Sequence, residues 1–387
     1  MNKFKAETLY NEISDYPIIP PDKPPVYKLN RLLRINPKVS TKFYPKLALL
    51  YLKTLSASVM GGIESTVYRQ KLKAYKPKHP PLFVLGHWRS GTSFLQSLLG
   101  TPPNYMHYNK FQTIFPDSFL LTRHTLKPFM NFLFSRSKSV QSWKANGSYD
   151  FNSLDTASEI EVAMISKINP YSFHWGHVFP QQWKFYFDRY LFMDDISPKD
   201  YKNWRRSVQK LNKKVNFTQP NSRLIIKNPG DTARLRHILS IYPDAQFIFI
   251  HRNPYDVFYS NIKLWKHILS GLSMQDVDTA EIKRGIRYIY RRMHQKYFAD
   301  RSLVPDHQMI EIDYKTFSQQ PLQTVEHIYD HLNLPNFEGN KPHLERYLAG
   351  LNSRKSQYEY ADEDIELINR EWKFVFEELG YDMHSTS

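Results

Sequence analysis

Residues 81–100 read PLFVLGHWRSGTSFLQSLLG. Leu82, Phe83, Val84 and Leu85 make a short unbroken apolar run, the pattern of a strand buried on both faces. Gly86 and Gly91 bracket a tight turn. Thr92 and Ser93 then open a stretch with Phe94, Leu95, Leu98 and Leu99 at helical spacing. A strand, a glycine-bracketed turn and a helix N-terminus predict an anion site. Backbone N–H groups converge there, and the helix dipole favours negative charge.

The spacing G-x-x-x-x-G-T-S approaches the nucleoside-triphosphate loop G-x-x-x-x-G-K-[ST], but Thr92 stands where the lysine belongs. The nearest cation is Arg89, inside the loop. A kinase or NTPase needs that lysine on the terminal phosphates. The arrangement suits a ligand with one phosphate at the helix N-terminus and a reacting group beside the arginine. The competing reading is a glycine turn that only packs a helix on a strand.

GHWRSGTSFL resembles the 5′-phosphosulfate loop of the sulfotransferases that use 3′-phosphoadenosine 5′-phosphosulfate (PAPS). It is most similar to a large bacterial branch whose loop reads GHWRSGTT. The resemblance covers about residues 82–381 and implies a P-loop-like α/β fold, a mostly parallel sheet flanked by helices. It implies cofactor contacts from Arg89, Ser90, Gly91, Thr92 and Ser93.

Three more segments fit the same family. FIFIHRNPYDVFYSN, residues 247–261, resembles its 3′-phosphate motif, which assigns Arg252 and Ser260 to that phosphate. An arginine suits the task because its fork pairs two phosphate oxygens at once. LIIKNPGDTARL, residues 224–235, resembles K-S-P-x-H-T-x-R-I and places Lys227 against the reacting sulfonate. Many relatives carry a catalytic histidine two positions after this lysine, where this chain has Pro229. A base must therefore come from elsewhere.

ASEIEVAM, residues 157–164, is similar to the branch's E-D-E-F-A-L and offers Glu159 and Glu161 as general bases. Two capping boxes overlap here, Thr156 with Glu159 and Ser158 with Glu161. If Ser158 is the N-cap, Glu161 is used in its box and Glu159 is free. His87, His107, His174 and His177 are rival bases, and His87 sits in the anion loop itself. Near the C-terminus, Arg354 and Lys355 in SRKSQYEY stand where relatives carry a basic segment over the cofactor, although Ser356 replaces its glycine.

The reaction implied is sulfonate transfer from PAPS to an acceptor hydroxyl, leaving adenosine 3′,5′-bisphosphate, with no metal. Aromatic residues are 15% of the chain and crowd residues 105–192. They favour an apolar acceptor such as a sterol or other lipid, with a carbohydrate hydroxyl as the alternative. A P-loop kinase and a non-catalytic nucleotide binder remain open as different classes.

The remaining features fit one enzyme domain. The 387 residues carry a formal charge of +16 without concentrating it in a tail, which suits an anionic ligand better than nucleic acid. Cysteine is absent, which excludes disulfides and thiolate chemistry and fits a cytoplasmic location. Residues 1–80 read as a proline-rich arm in extended conformation followed by one or two helices, with a break at Gly61 and Gly62. Residues 81–387 read as the sulfotransferase domain. Residues 41–75 either pack on that domain or lie against a membrane surface. Strands are expected at 82–85, 223–227, 245–250 and 309–312. Phe111, Phe115, Phe119, Phe129, Phe132 and Phe134 recur near helical spacing, as core or as a pocket wall.

Overall fold

The computed structural model describes residues 23–36, 38–136, 154–351 and 358–385. Its centre is a parallel sheet of five strands: β1 (Leu82–Leu85), β2 (Tyr105–His107), β3 (Arg223–Lys227), β4 (Gln246–His251) and β5 (Met309–Asp313), in the order β2-β3-β1-β4-β5. Four strands lie where the apolar runs predict them. β2 was not expected, because three residues are too few to show a pattern.

Helices cover both faces. In chain order the ones that matter here are α1 (Pro25–Ile35), α2 (Tyr44–Ala74), α3 (Thr92–Leu99), α4 (Ile160–Ser166), α5 (Pro198–Asn216), α6 (Pro254–Leu272), α7 (Thr279–Asp300), α8 (Pro321–His331), α9 (Phe337–Ala349) and α10 (Asp362–Leu379). Alternation along β1 divides the core in two. Leu82 and Val84 join Leu95 of α3, Ile328 of α8 and Leu344 of α9. Phe83 and Leu85 join Phe258 of α6, Tyr290 of α7 and Trp372 of α10. A strand buried on both faces needs apolar residues at every position, which is why LFVL does not alternate.

The N-terminal region departs from expectation. Residues 25–35 are helical rather than extended, because the prolines fall at the helix start, where a missing N–H costs nothing. Leu29 and Leu32 are buried in the same core as Phe83. α2 runs unbroken through Gly61 and Gly62 for 31 residues. Asp117 packs within 3.1 Å of where a Cβ on Gly61 would sit, so close approach explains one of these glycines. After residue 170 the chain forms short helices at Trp175–Val178 and Trp183–Tyr190. The phenylalanine stripe splits, with Phe111 and Phe119 buried and Phe129 and Phe132 exposed.

Candidate active site

The three cofactor-type motifs leave the sheet at the carboxyl ends of three adjacent strands. Val84 of β1 pairs with Lys227, the last residue of β3, and Leu85 pairs with Phe249 of β4. The loop 86–91, Lys227 and Arg252 therefore emerge side by side, at the edge where open α/β sheets bind ligands.

The loop is held by backbone geometry. Gly86 has φ +140° and Gly91 φ +104°. A Cβ on Gly86 would stand 2.3 Å from the Ile250 carbonyl oxygen, and one on Gly91 2.3 Å from the Tyr314 ring. Both positions need glycine for conformation and for room. Arg89 is also left-handed, at φ 73°. That turn exposes Arg89 while His87, Trp88 and Ser90 are buried. Ser90 Oγ donates to the His87 carbonyl at 2.8 Å, which closes the turn. Gly91 caps α3, so the first-turn N–H groups at Thr92 and Ser93 have no carbonyl a turn behind them.

Neighbouring elements clamp this loop from two sides. Thr232, after the Lys227 strand, receives a hydrogen bond from Gly86 N–H at 2.8 Å and donates to the Gly86 carbonyl at 3.2 Å. Asn261 on α6 donates to the Trp88 carbonyl at 2.9 Å. Next to it, Ser260 Oγ accepts from Arg89 Nε at 2.7 Å. Arg252, at the entry to α6, pairs with Asp256 at 3.0 Å and lies over the Tyr314 ring, 4.8 Å from its centroid. Thr232, Asn261 and Tyr314 were not singled out from sequence. Thr232 and Asn261 lie inside the matched segments. Tyr314 follows β5 and carries no local signal.

Lys227 is buried and forms an ion pair with Glu159. Glu159 reaches it because residues beyond β2 pair with the chain before α4. Asn109 bridges Ala157, and Ser158 N–H donates to the Tyr108 carbonyl at 2.8 Å. β2 neighbours β3, so the next residue arrives at the end of β3. Neither predicted capping box orders this turn. α4 starts at Ile160 with Glu159 as its N-cap, and no side chain caps it. The Ser158 hydroxyl instead meets Thr113 at 2.9 Å.

The two glutamates face different surroundings. The Glu159 side chain is 19% exposed. Glu161 is 1% exposed; it accepts from Phe173 N–H at 3.2 Å and pairs with buried Arg234 at 3.2 Å. Arg234 also donates to the Tyr190 carbonyl and stacks between Phe173 and Trp204. Asp231 lies 3.5 Å from the same guanidinium, and burial pushes its carboxyl up to about 7.

The rival histidines are interior groups. His87 packs against Tyr290 and Trp88. Burial, reinforced by His294, lowers it to about 3. His174 and His177 face each other at 2.9 Å, Nδ1 to Nδ1, and burial lowers His174 to about 3 and His177 well below its usual value. His107 hydrogen-bonds the Tyr108 carbonyl at 2.9 Å, and burial lowers it too. Arg354 and Lys355 lie outside the described residues.

Comparison with known proteins agrees with this architecture. Stf3, the omega-hydroxy-beta-dihydromenaquinone-9 sulfotransferase of Mycobacterium tuberculosis, is 27% identical over 331 residues, covering 85% of this chain and 82% of that protein; its Mycobacterium bovis counterpart matches equally. The solved sulfotransferase STF9 from Mycobacterium avium superposes with a TM-score of 0.70 at 17% identity, covering 100% of this chain and 99% of that one. STF1 from Mycobacterium tuberculosis gives a TM-score of 0.65 at 16% identity, covering 95% and 96%. These two likenesses show the fold. The profile of the sulfotransferase family matches residues 80–339, more than half of the chain, and the protein therefore belongs to the sulfotransferase family.

Proposed function

We propose that this sulfotransferase moves the sulfonate of PAPS to the hydroxyl of a lipid-like alcohol. The observation that carries the reading is the meeting of Arg89 with Ser260 and of Lys227 with Glu159 at adjacent strand ends. When bound, PAPS supplies an activated sulfonate whose leaving group is a phosphate. The N–H groups of Gly91, Thr92 and Ser93 hold the 5′-phosphate at the start of α3, with Ser90 shaping the loop. Arg252 and Ser260 hold the 3′-phosphate. Arg89 and Lys227 set positive charge where negative charge grows on the 5′-phosphate as its bond to the sulfonate sulfur breaks.

Glu159 takes the proton of the acceptor hydroxyl as the new O–S bond forms. It is the partly exposed member of the acidic pair and lies against Lys227. Glu161 is committed to Arg234, and His87 is packed behind the loop.

The lipid acceptor is supported by the Mycobacterium relatives, named for sulfating a hydroxylated menaquinone derivative, and by the aromatic content of the chain. The test is transfer of labelled sulfonate from PAPS to a panel of hydroxylated isoprenoids, sterols, phenols and glycans. Turnover confined to the apolar alcohols supports the proposal. Turnover confined to glycans overturns the acceptor class. Magnesium-dependent ATP turnover without sulfonate transfer overturns the donor.

A further inference from the structure

We propose that the outer face of α2 docks the enzyme on the surface of an anionic lipid bilayer. A helix on a protein surface usually turns its apolar stripe inward and its polar face to water. α2 packs Leu47, Leu50 and Leu72 against the core, but its fully buried side chains are polar, Thr54 and Glu64, and a second apolar stripe is left outside. Its only acidic residue, Glu64, is buried, pairs with Lys214 and accepts the N–H groups of Leu120 at 2.7 Å and Leu121 at 3.1 Å. Tyr68 donates to the Leu120 carbonyl at 3.2 Å, and Lys46 to the Ser273 carbonyl at 3.1 Å.

The outer face carries Leu49, Leu52, Leu55, Val59, Ile63 and Val67 at steps of three or four residues. Their exposure runs from 47% at Ile63 to 68% at Leu49. The eighteen steps from Leu49 to Val67, at about 1.5 Å each, make this stripe about 27 Å long. The polar latch fixes which side faces out, so the apolar face cannot roll inward without breaking the Glu64–Lys214 pair.

Charge selects the occupant. Lys53, Arg69, Lys71 and Lys73 are exposed along and beyond the stripe, and no carboxylate of α2 is exposed. Lys42, just before the helix, pairs with Asp276. Two copies packed through this face would bring cationic rims together with no α2 acid to answer them. An anionic bilayer answers the apolar stripe and the cations together. Among the described residues no helix is long and apolar enough to cross a membrane, so the contact lies along the surface.

The inference rests on the lipid-acceptor reading for its purpose, since an acceptor held in a bilayer has to be reached there. Its test is separate. The full chain is sedimented with vesicles of phosphatidylglycerol and phosphatidylcholine, and with phosphatidylcholine alone. The comparison variants are Leu52→Glu/Val59→Glu and Lys53→Glu/Arg69→Glu, all at exposed positions whose folding is checked by melting temperature. The wild type should bind the anionic vesicles at least ten-fold better than the neutral ones. The apolar variant should lose at least ten-fold of that binding, and the charge variant most of the anionic preference.

Equal binding by wild type and the apolar variant, or no binding by the wild type, overturns the proposal. A wild-type dimer in sedimentation velocity that the apolar variant dissolves overturns it in favour of a second copy. Vesicle binding without lipid sulfation would remove the acceptor reading and leave the docking in place. Lipid sulfation without vesicle binding would do the reverse.

Discussion

Arg89 Nε donates to Ser260 Oγ at 2.7 Å, joining two motifs that lie 171 residues apart. One belongs to the loop after β1 and the other to the helix after β4. The bond orients the exposed guanidinium toward the helix that Arg252 immediately precedes. A site built this way should respond differently to loss of each partner. Arg89→Ala should lower turnover by about 10²–10³-fold, the range for losing one charge-stabilising donor. Ser260→Ala should cost about ten-fold in nucleotide affinity. Steady-state kinetics and product-inhibition constants check both, and near-wild-type turnover for Arg89→Ala would remove it from the reaction.

Lys227 and Glu159 form one unit, and their substitutions should not add. Lys227→Ala and Glu159→Gln should each lower turnover by 10² or more, and the double variant should be little worse than the poorer single one. Glu161→Gln separates base from scaffold. It removes the nearer of the two carboxylates beside buried Arg234 and leaves only Asp231, so it should lower the melting temperature, with a destabilisation of up to about 3 kcal/mol. A stable Glu161→Gln enzyme with abolished turnover would transfer the base role to Glu161.

Gly91→Ala tests the loop by sterics alone. The added methyl would stand 2.3 Å from the Tyr314 ring, at a φ of +104° that side chains rarely adopt. Nucleotide binding should fall by at least ten-fold. Tyr314→Ala added to Gly91→Ala should recover only part of it, because the backbone strain persists. Unchanged binding in Gly91→Ala would show that the loop does not contact the nucleotide.

Buried histidines set the acid limb of stability. Burial lowers His87 and His174 to about 3, and His294 to about 4. The unfolded chain binds these protons first, so stability falls as pH drops through 6.5. Each of these groups removes about 2 kcal/mol at pH 5. Asp231, raised to about 7, works oppositely, because its folded form binds the proton first as pH falls from 7 toward 3.8. Thermal melts should therefore show a lower transition at pH 5 than at pH 7, and a larger drop in Asp231→Asn. A higher transition at pH 5 would contradict the burial of these rings.

The parts legible in sequence are those with short-range causes. β1, β3, β4 and β5 are unbroken or alternating apolar runs, and the glycine loop shows its own spacing. The motif residues Arg89, Lys227, Arg252 and Ser260 were readable as types in a pattern, but their convergence comes from strand order, which no local segment encodes. The different surroundings of Glu159 and Glu161 rest on a tertiary pairing, Asn109 with Ala157, which no local capping pattern shows. α2 misled because a glycine pair signals a break only where the helix lacks support. Here Asp117 packs on Gly61, and the buried Glu64–Lys214 pair holds the next turn.

The most direct test of the central claim is calorimetric titration of adenosine 3′,5′-bisphosphate and adenosine 5′-phosphate into wild type and Arg252→Ala. A single cleft gripping both phosphates predicts that the wild type prefers the bisphosphate by at least ten-fold. Arg252→Ala should lose that preference while binding the 5′-phosphate as before. Equal preference in the two proteins would contradict the account.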